Sequence, residues 1–388
     1  MVEIADIEDR ESLEAWLKDQ PREVAVWIAL RAAARVLPVW WDAVLTDDWA
    51  HKRDLTALPV LRSLLLSSVA AVGPTEDSNA TAHAADRAAY AARAARAAAD
   101  VTADATAHAA ARAARAAAHA AADADRAAYA AAYAAAAAAD AAADSDLVWA
   151  AIRLDVEQTA GGYVPDTLAL WPDSKGPLEE QWRAIVWQVT NSEEAEGWQF
   201  WIEWYDALLD GRPMLGDAAR TWEMLEEIAL IDDATWDAGP EVVNPVIREI
   251  WDLYRLREEV AALCAEKEQL LAGRASAEAR SHNQPPELVD TEPEMARQVE
   301  VIWAGLDAAQ DELEQEVPDK HVLQRTAEEM LAALKAVAGY CAKVGDAVVM
   351  SAAKVGGGAV GTAILDHVAN NGRLFQFAKD LFQYAVGG

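Results

Sequence analysis

From Thr75 to Ala160 the chain contains neither glycine nor proline, and more than half of these 86 residues are alanine. Alanine is the strongest intrinsic helix former, and without a breaker the stretch has no local reason to leave the helical state. Its bulky or polar side chains fall at 83, 87, 90, 93, 96, 100, 104, 108, 112, 115, 119, 123, 126, 129 and 133, which is 50 residues in 14 steps, a mean of 3.57. That period lays one Arg–His–Tyr–Asp stripe along an alanine cylinder. Arg93, Arg96, Arg112, Arg115, His119, Tyr129 and Tyr133 of the stripe are the candidates for facing a partner. The simpler reading is a compositionally biased packing helix without a site.

A continuous phase suits one long rod, but DVTADAT (100–106) and DADR (123–126) supply N-cap residues. The fragments TAHAA, ARAARAAA and DRAAYAA each occur twice, at offsets of 25, 19 and 39, so no single repeat period holds. This predicts drifting duplication of helices of roughly 20 residues packed side by side, their bare faces allowing close approach.

The flanking segments are also helical by pattern. Ser12 is placed to cap a helix carrying Leu13, Trp16 and Leu17. A second helix over about 21–36 shows Val24, Trp27, Ile28 and Ala32 on one face, with Pro38 as its stop. Leu55–Val72 reads as a further apolar helix. In the tryptophan-rich middle, Trp198, Trp201, Tyr205 and Leu208 share one face, closed by Asp210-Gly211, and Trp222, Leu225, Ile228 and Ala229 repeat the pattern. Val246, Ile250, Leu253, Leu256, Val260, Leu263 and Leu270 then give a short coiled-coil-like arm. Beyond the linker, Val299, Ile302, Leu306, Ala309 and Leu313 form one stripe. Val322, Leu323, Ala327, Met330, Leu331 and Leu334 form another, after a break at Pro318 with Asp319 as cap. The expected fold is all-α: N-terminal helices with an Ala-rich array (1–160), a Trp-rich region (161–273), a Pro-rich acidic linker (274–294) and a C-terminal helical segment (295–388).

The formal charge is −32, and it is uneven. Residues 179–334 hold 36 Asp+Glu against 12 Lys+Arg, a net of −24, whereas 335–388 holds five Lys+Arg against three Asp, a net of +2. Nucleic acid is disfavoured as a partner, because phosphate binding needs clustered cations. Cys264 and Cys341 fit no zinc or redox spacing. With an acidic, mixed N-terminus unlike a secretory signal, they suggest a reducing cytoplasm. No pair of the seven histidines has chelating helical spacing, and no phosphate loop, nucleophile elbow or zinc-protease signature occurs. No catalytic, cofactor or metal residue is therefore assigned.

The tail 336–388 has six glycines between 339 and 361 in a background of Ala, Val, Ile and Lys. Ala353, Gly357 and Gly361 make a small-residue ridge, Ile364 and Leu365 an apolar side, and Phe375 and Phe382 an aromatic end piece. These seven are the candidates for self-association or membrane contact, against the plainer reading of a soluble hairpin turning at Gly356–Gly358. The linker sequence Ser281-His282-Asn283-Gln284-Pro285-Pro286-Glu287 resembles a short [Ser/Gly]-His-Asn-x-Pro-Pro-Glu motif of uncharacterised bacterial and phage-associated helical proteins. The resemblance covers seven residues and the layout of the helices after them, and it implies no activity.

The sequence thus predicts a non-enzymatic binding or assembly protein. It suits a cytoplasmic bacterial effector whose glycine-rich C-terminal helices self-associate or engage a membrane. The alternative is an acidic soluble scaffold for a basic protein partner.

Overall fold

The computed structural model describes residues 3–53, 55–72, 104–142, 144–161, 168–172, 176–193, 195–280, 293–351 and 372–387. Among them there are helices and no strand, so the fold is all-α. The chain divides into two compact units, Met1–Ile250 and Trp251–Gly388.

The first unit is arranged around α2 (Arg22–Arg35), of which twelve of fourteen residues are buried. A helix apolar on all sides has to be surrounded. Five helices pack on α2: α3 (Leu37–Thr46), α5 (Leu58–Val72), α6 (Ala105–Ala122), α7 (Ala127–Ala141) and α8 (Ser145–Thr159). α1 (Arg10–Leu17) lies on α7, and the single-turn α4 (Asp48–His51) follows α3. The alanine-rich stretch, within its described part, is a helical hairpin. Asp104 caps α6 by accepting from the N–H groups of Thr106 and Ala107, and Asp123 ends it before a turn of 3-10 helix at Ala124–Arg126. Eleven alanines of α6 and ten of α7 are buried, facing each other and α2. The stripe keeps its phase across the break because both helices turn polar positions away from the same central helix.

α5 packs on α2 and α6, and its Ser63, Ser67 and Ser68 are all buried. Their hydroxyls donate to the carbonyls of Pro59, Ser63 and Leu65, so each is satisfied within its own helix. Around this centre come α9 (Glu179–Thr190), α10 (Ala195–Asp210), α11 (Ala218–Ala229), the short α12 (Asp233–Asp237) and the start of α13 (Pro240–Arg280). Trp40, Trp41, Trp201 and Trp204 are among the largest fully buried side chains.

The second unit contains the rest of α13 with α14 (Pro293–Leu313), α15 (Lys320–Ser351) and α16 (Gly372–Val386). Leu253, Leu256, Val260 and Leu263 of α13 share one core with Ile302, Leu306, Leu323, Met330, Phe377 and Leu381. The Nζ of Lys320 lies 5.2 Å from the ring centre of Tyr384, so α16 runs antiparallel to α15.

Three local expectations change. Asp9, not Ser12, is the N-cap of α1; Ser12 sits at N3 and its hydroxyl returns to the Asp9 N–H, completing a capping box. Pro38 opens α3 rather than only closing α2, because a proline in the first turn gives up no helical hydrogen bond. Along the start of α13 the buried face is Val243, Asn244, Ile247 and Trp251, while Val242 and Val246 are exposed. The indole N–H of Trp201 donates to Asn244 Oδ1 at 3.0 Å, which sets that rotation.

Gly211 closes α10 with φ +63°, and a Cβ there would stand 2.1 Å from the backbone nitrogen of Ala169. Gly211→Ala is expected to lower stability by at least ~2 kcal/mol, more than the ~1–2 kcal/mol of a left-handed residue alone. Urea unfolding measures it; a loss below ~1 kcal/mol would mean that segment 168–170 moves aside freely.

Candidate functional site

Arg31 and Arg35 stand one turn apart on α2, inside the most apolar part of the unit. Asp155 of α8 lies between them: Arg31 Nε donates to Oδ1 at 2.9 Å, and Arg35 Nη1 is 2.7 Å from Oδ2. All three are buried. The guanidiniums also gather the carbonyls of an extended stretch. Arg31 donates to Leu168 O at 2.7 Å and Ala169 O at 2.6 Å, and Arg35 to Leu170 O at 3.0 Å. The planar Arg fork makes this possible, since a lysine could not address a carboxylate and successive carbonyls together. Arg31 lies over Trp27 and Arg35 over Trp171, at 4.6 and 5.4 Å from the ring centres.

Burial weakens the charged form of Arg31, with Arg35 acting in the same direction and Asp155 against it; its pKa falls to about 10. It remains a cation throughout the physiological range. Tyr205 of α10 donates to Ala34 O at 3.0 Å in the same interior, and burial pushes its phenol well above the ordinary value. On the outer side of α10, half-buried Asp206 accepts from the Trp182 indole at 2.7 Å. Burial, with Glu203 and Asp210 nearby, raises its pKa against the pull of that hydrogen bond.

Beside Arg31 lies a cavity of about 60 Å³. Trp27, Leu30, Ser68, Trp204 and Leu225 form its depth, and Arg212, Met214, Ala218 and Trp222 its mouth. Arg212 is held there by Glu203 at 2.9 Å and Asp210 at 3.3 Å.

The stripe is brought together only in part. Arg112 of α6 lies over the ring of Tyr133 of α7 at 5.0 Å, and Tyr129 stacks on Tyr133 at 6.3 Å. Arg115 is half-buried, while His119 and Tyr129 are exposed. Arg112 and Tyr133 thus clasp the two helices to each other. Arg93 and Arg96 lie outside the described residues, as do Ala353, Gly357, Gly361, Ile364, Leu365 and the His-Asn-Gln-Pro-Pro-Glu motif. Phe375 and Phe382 are half-buried and pack on the core of the second unit, Phe375 under the ammonium of Lys379 at 4.7 Å.

Sequence reasoning passed over Arg31, Arg35 and Asp155. The available signal was two arginines four residues apart in the otherwise apolar stretch 24–35, a spacing that commits both to one face. Among the described residues no group of three His, Cys, Asp or Glu side chains is placed to hold a metal ion. Comparison with protein-family models, with curated proteins and with solved structures found no match.

Asp155→Ala leaves two buried guanidiniums without their carboxylate and is expected to cost about 3–5 kcal/mol, read by chemical denaturation. A loss under ~1 kcal/mol would mean that water enters the cluster and replaces the carboxylate. For Asp206 the folded pKa lies above the unfolded one, so ionising it as pH rises removes stability. Asp206→Asn keeps the acceptor for Trp182 and cannot ionise. It should match the native chain below the usual carboxylate range and exceed it at neutral pH by under ~1 kcal/mol, solvent screening limiting the gain. Melting curves across pH test the sign.

Proposed function

We propose that the chain is a binding and assembly protein whose C-terminal unit self-associates or engages a lipid surface through 336–388. The observation that carries this is that α15 and α16 lie antiparallel in one core, so the sequence between Ser351 and Gly372 starts and ends on the same folded unit. That sequence holds Ala353, Gly357 and Gly361, with Ile364 and Leu365 beside them. Small residues spaced by four favour close helix contact, and 335–388 is net-basic, at +2, in a very acidic chain. Among the described residues no single helix is long and apolar enough to cross a membrane. Engagement from the cytoplasm, as by a bacterial effector, is the form this reading takes.

A second reading, an acidic scaffold for a basic protein partner, draws support from the surface. The N-cap carboxylates of Asp9, Asp104, Asp217 and Asp232 are exposed, and Trp187 of α9 is 70% exposed. Its binding would weaken steeply with salt.

Light scattering and liposome flotation on the full chain, beside the double variant Gly357→Leu/Gly361→Leu, test the first reading. The native chain is expected to size above a monomer or to float with anionic vesicles, and the variant to do neither while melting as before. A native chain that stays monomeric and sediments without lipid overturns it.

A further inference from the structure

Arg31 has five N–H groups, of which three are engaged by Asp155, Leu168 O and Ala169 O. The other two have no hydrogen-bonded partner among the described residues, although the side chain is only 6% exposed. An unsatisfied donor on a buried cation is costly, so such a group calls for an acceptor. The ion cluster also holds two guanidiniums against one carboxylate, leaving one positive charge unbalanced.

The cavity against Arg31 fits an acceptor of a particular kind. Its other deep walls are Trp27, Trp204, Leu30 and Leu225 with two hydroxyls already engaged: Ser68 donates to Leu65 O and Thr221 to Asp217 O. At roughly 10–15 Å³ for each water-sized group, its 60 Å³ holds about four to six non-hydrogen atoms. The cation at the mouth, Arg212, is occupied by Glu203 and Asp210. One end of the space is therefore cationic and donor-rich, and the rest is aromatic and aliphatic.

We propose that this cavity binds a short-chain aliphatic monocarboxylate of about the size of butyrate, its carboxylate on the remaining N–H groups of Arg31 and its alkyl chain against the indoles of Trp27 and Trp204. A dicarboxylate would bury a second charge without a partner, and a larger aromatic acid exceeds the volume. The proposal is independent of the assembly reading, which concerns the other unit.

The test uses the full-length protein with butyrate, its neutral isostere butyramide, and chloride at matched ionic strength. Butyrate is expected to raise the melting temperature saturably and to change tryptophan fluorescence with a millimolar dissociation constant. Butyramide should bind roughly tenfold or more weakly, as loss of a charge-assisted pairing requires, and chloride should do nothing. Ala218→Phe, placed at the half-exposed mouth, should abolish the butyrate response with the ligand-free melt unchanged. Butyrate acting no better than butyramide or chloride overturns the proposal on the native chain alone. An unaltered response in a folded Ala218→Phe protein overturns the assignment to this cavity.

Discussion

The first unit depends on one buried electrostatic arrangement. Two arginines on its central helix share the carboxylate of Asp155 and hold three successive carbonyls of the segment after α8. Taking these charges out of water is expensive, and the expense is offset by their mutual attraction and by the hydrogen bonds to the carbonyls. The arrangement therefore acts as a register device. It fixes the rotation of α2, because Arg31 and Arg35 must share a face, and it brings α8 alongside through Asp155. It also presses the 168–171 stretch onto Gly211, where no side chain could be accommodated. Leu170 N–H donates to Leu209 O at 3.1 Å and Tyr205 to Ala34 O, so α10 is tied into the same centre.

That fixation matters because the alanine hairpin cannot supply it. An alanine buries little area, and a face of methyl groups slides or rotates at small cost compared with interlocking large side chains. α6 and α7 are positioned instead by what is not alanine. Arg22 reaches the Ala121 carbonyl in the last turn of α6, Arg112 covers Tyr133, and the large side chains of α2 and α5 fill the space that methyl groups leave. The benefit of the bare surface is proximity: several helices can approach one central helix at once only if most contact positions carry no more than a methyl.

Periodicity made the helices legible. The stripes Val299–Leu313 and Val322–Leu334 describe the buried faces of α14 and α15 except at half-buried Val322 and Leu331, and Asp319 accepts from the N–H groups of His321 and Val322 as a cap should. What periodicity could not supply was rotation where more than one face is apolar. At the start of α13, Val242 and Val246 compete with Val243 and Ile247, and a single polar contact from Trp201 to Asn244 decides between them. α2 poses the same difficulty in stronger form: with all sides apolar beyond its first turn, the informative residues were Arg31 and Arg35, which composition alone would place at the surface. Pairing by a carboxylate about 120 positions away leaves no local trace, so the ion cluster and its cavity belong to tertiary structure only.

The charge asymmetry of the chain follows from how the two signs are employed. Aspartates stand at helix starts, where Asp9, Asp104, Asp144, Asp217 and Asp232 accept from backbone N–H groups at the surface. Arginines turn inward to carbonyls: Arg22 to Ala121, Arg153 to Ile7, Arg257 to Leu313 and Gln315, and Arg31 and Arg35 to segment 168–170. An N-cap carboxylate keeps one side in water, whereas a guanidinium buried against carbonyls is withdrawn from it. Among the described residues these arginines are wholly or partly withdrawn from solvent, while the capping aspartates stay exposed. A cation enclosed in this way is screened less than one at the surface, so each carbonyl or carboxylate that reaches it counts for more.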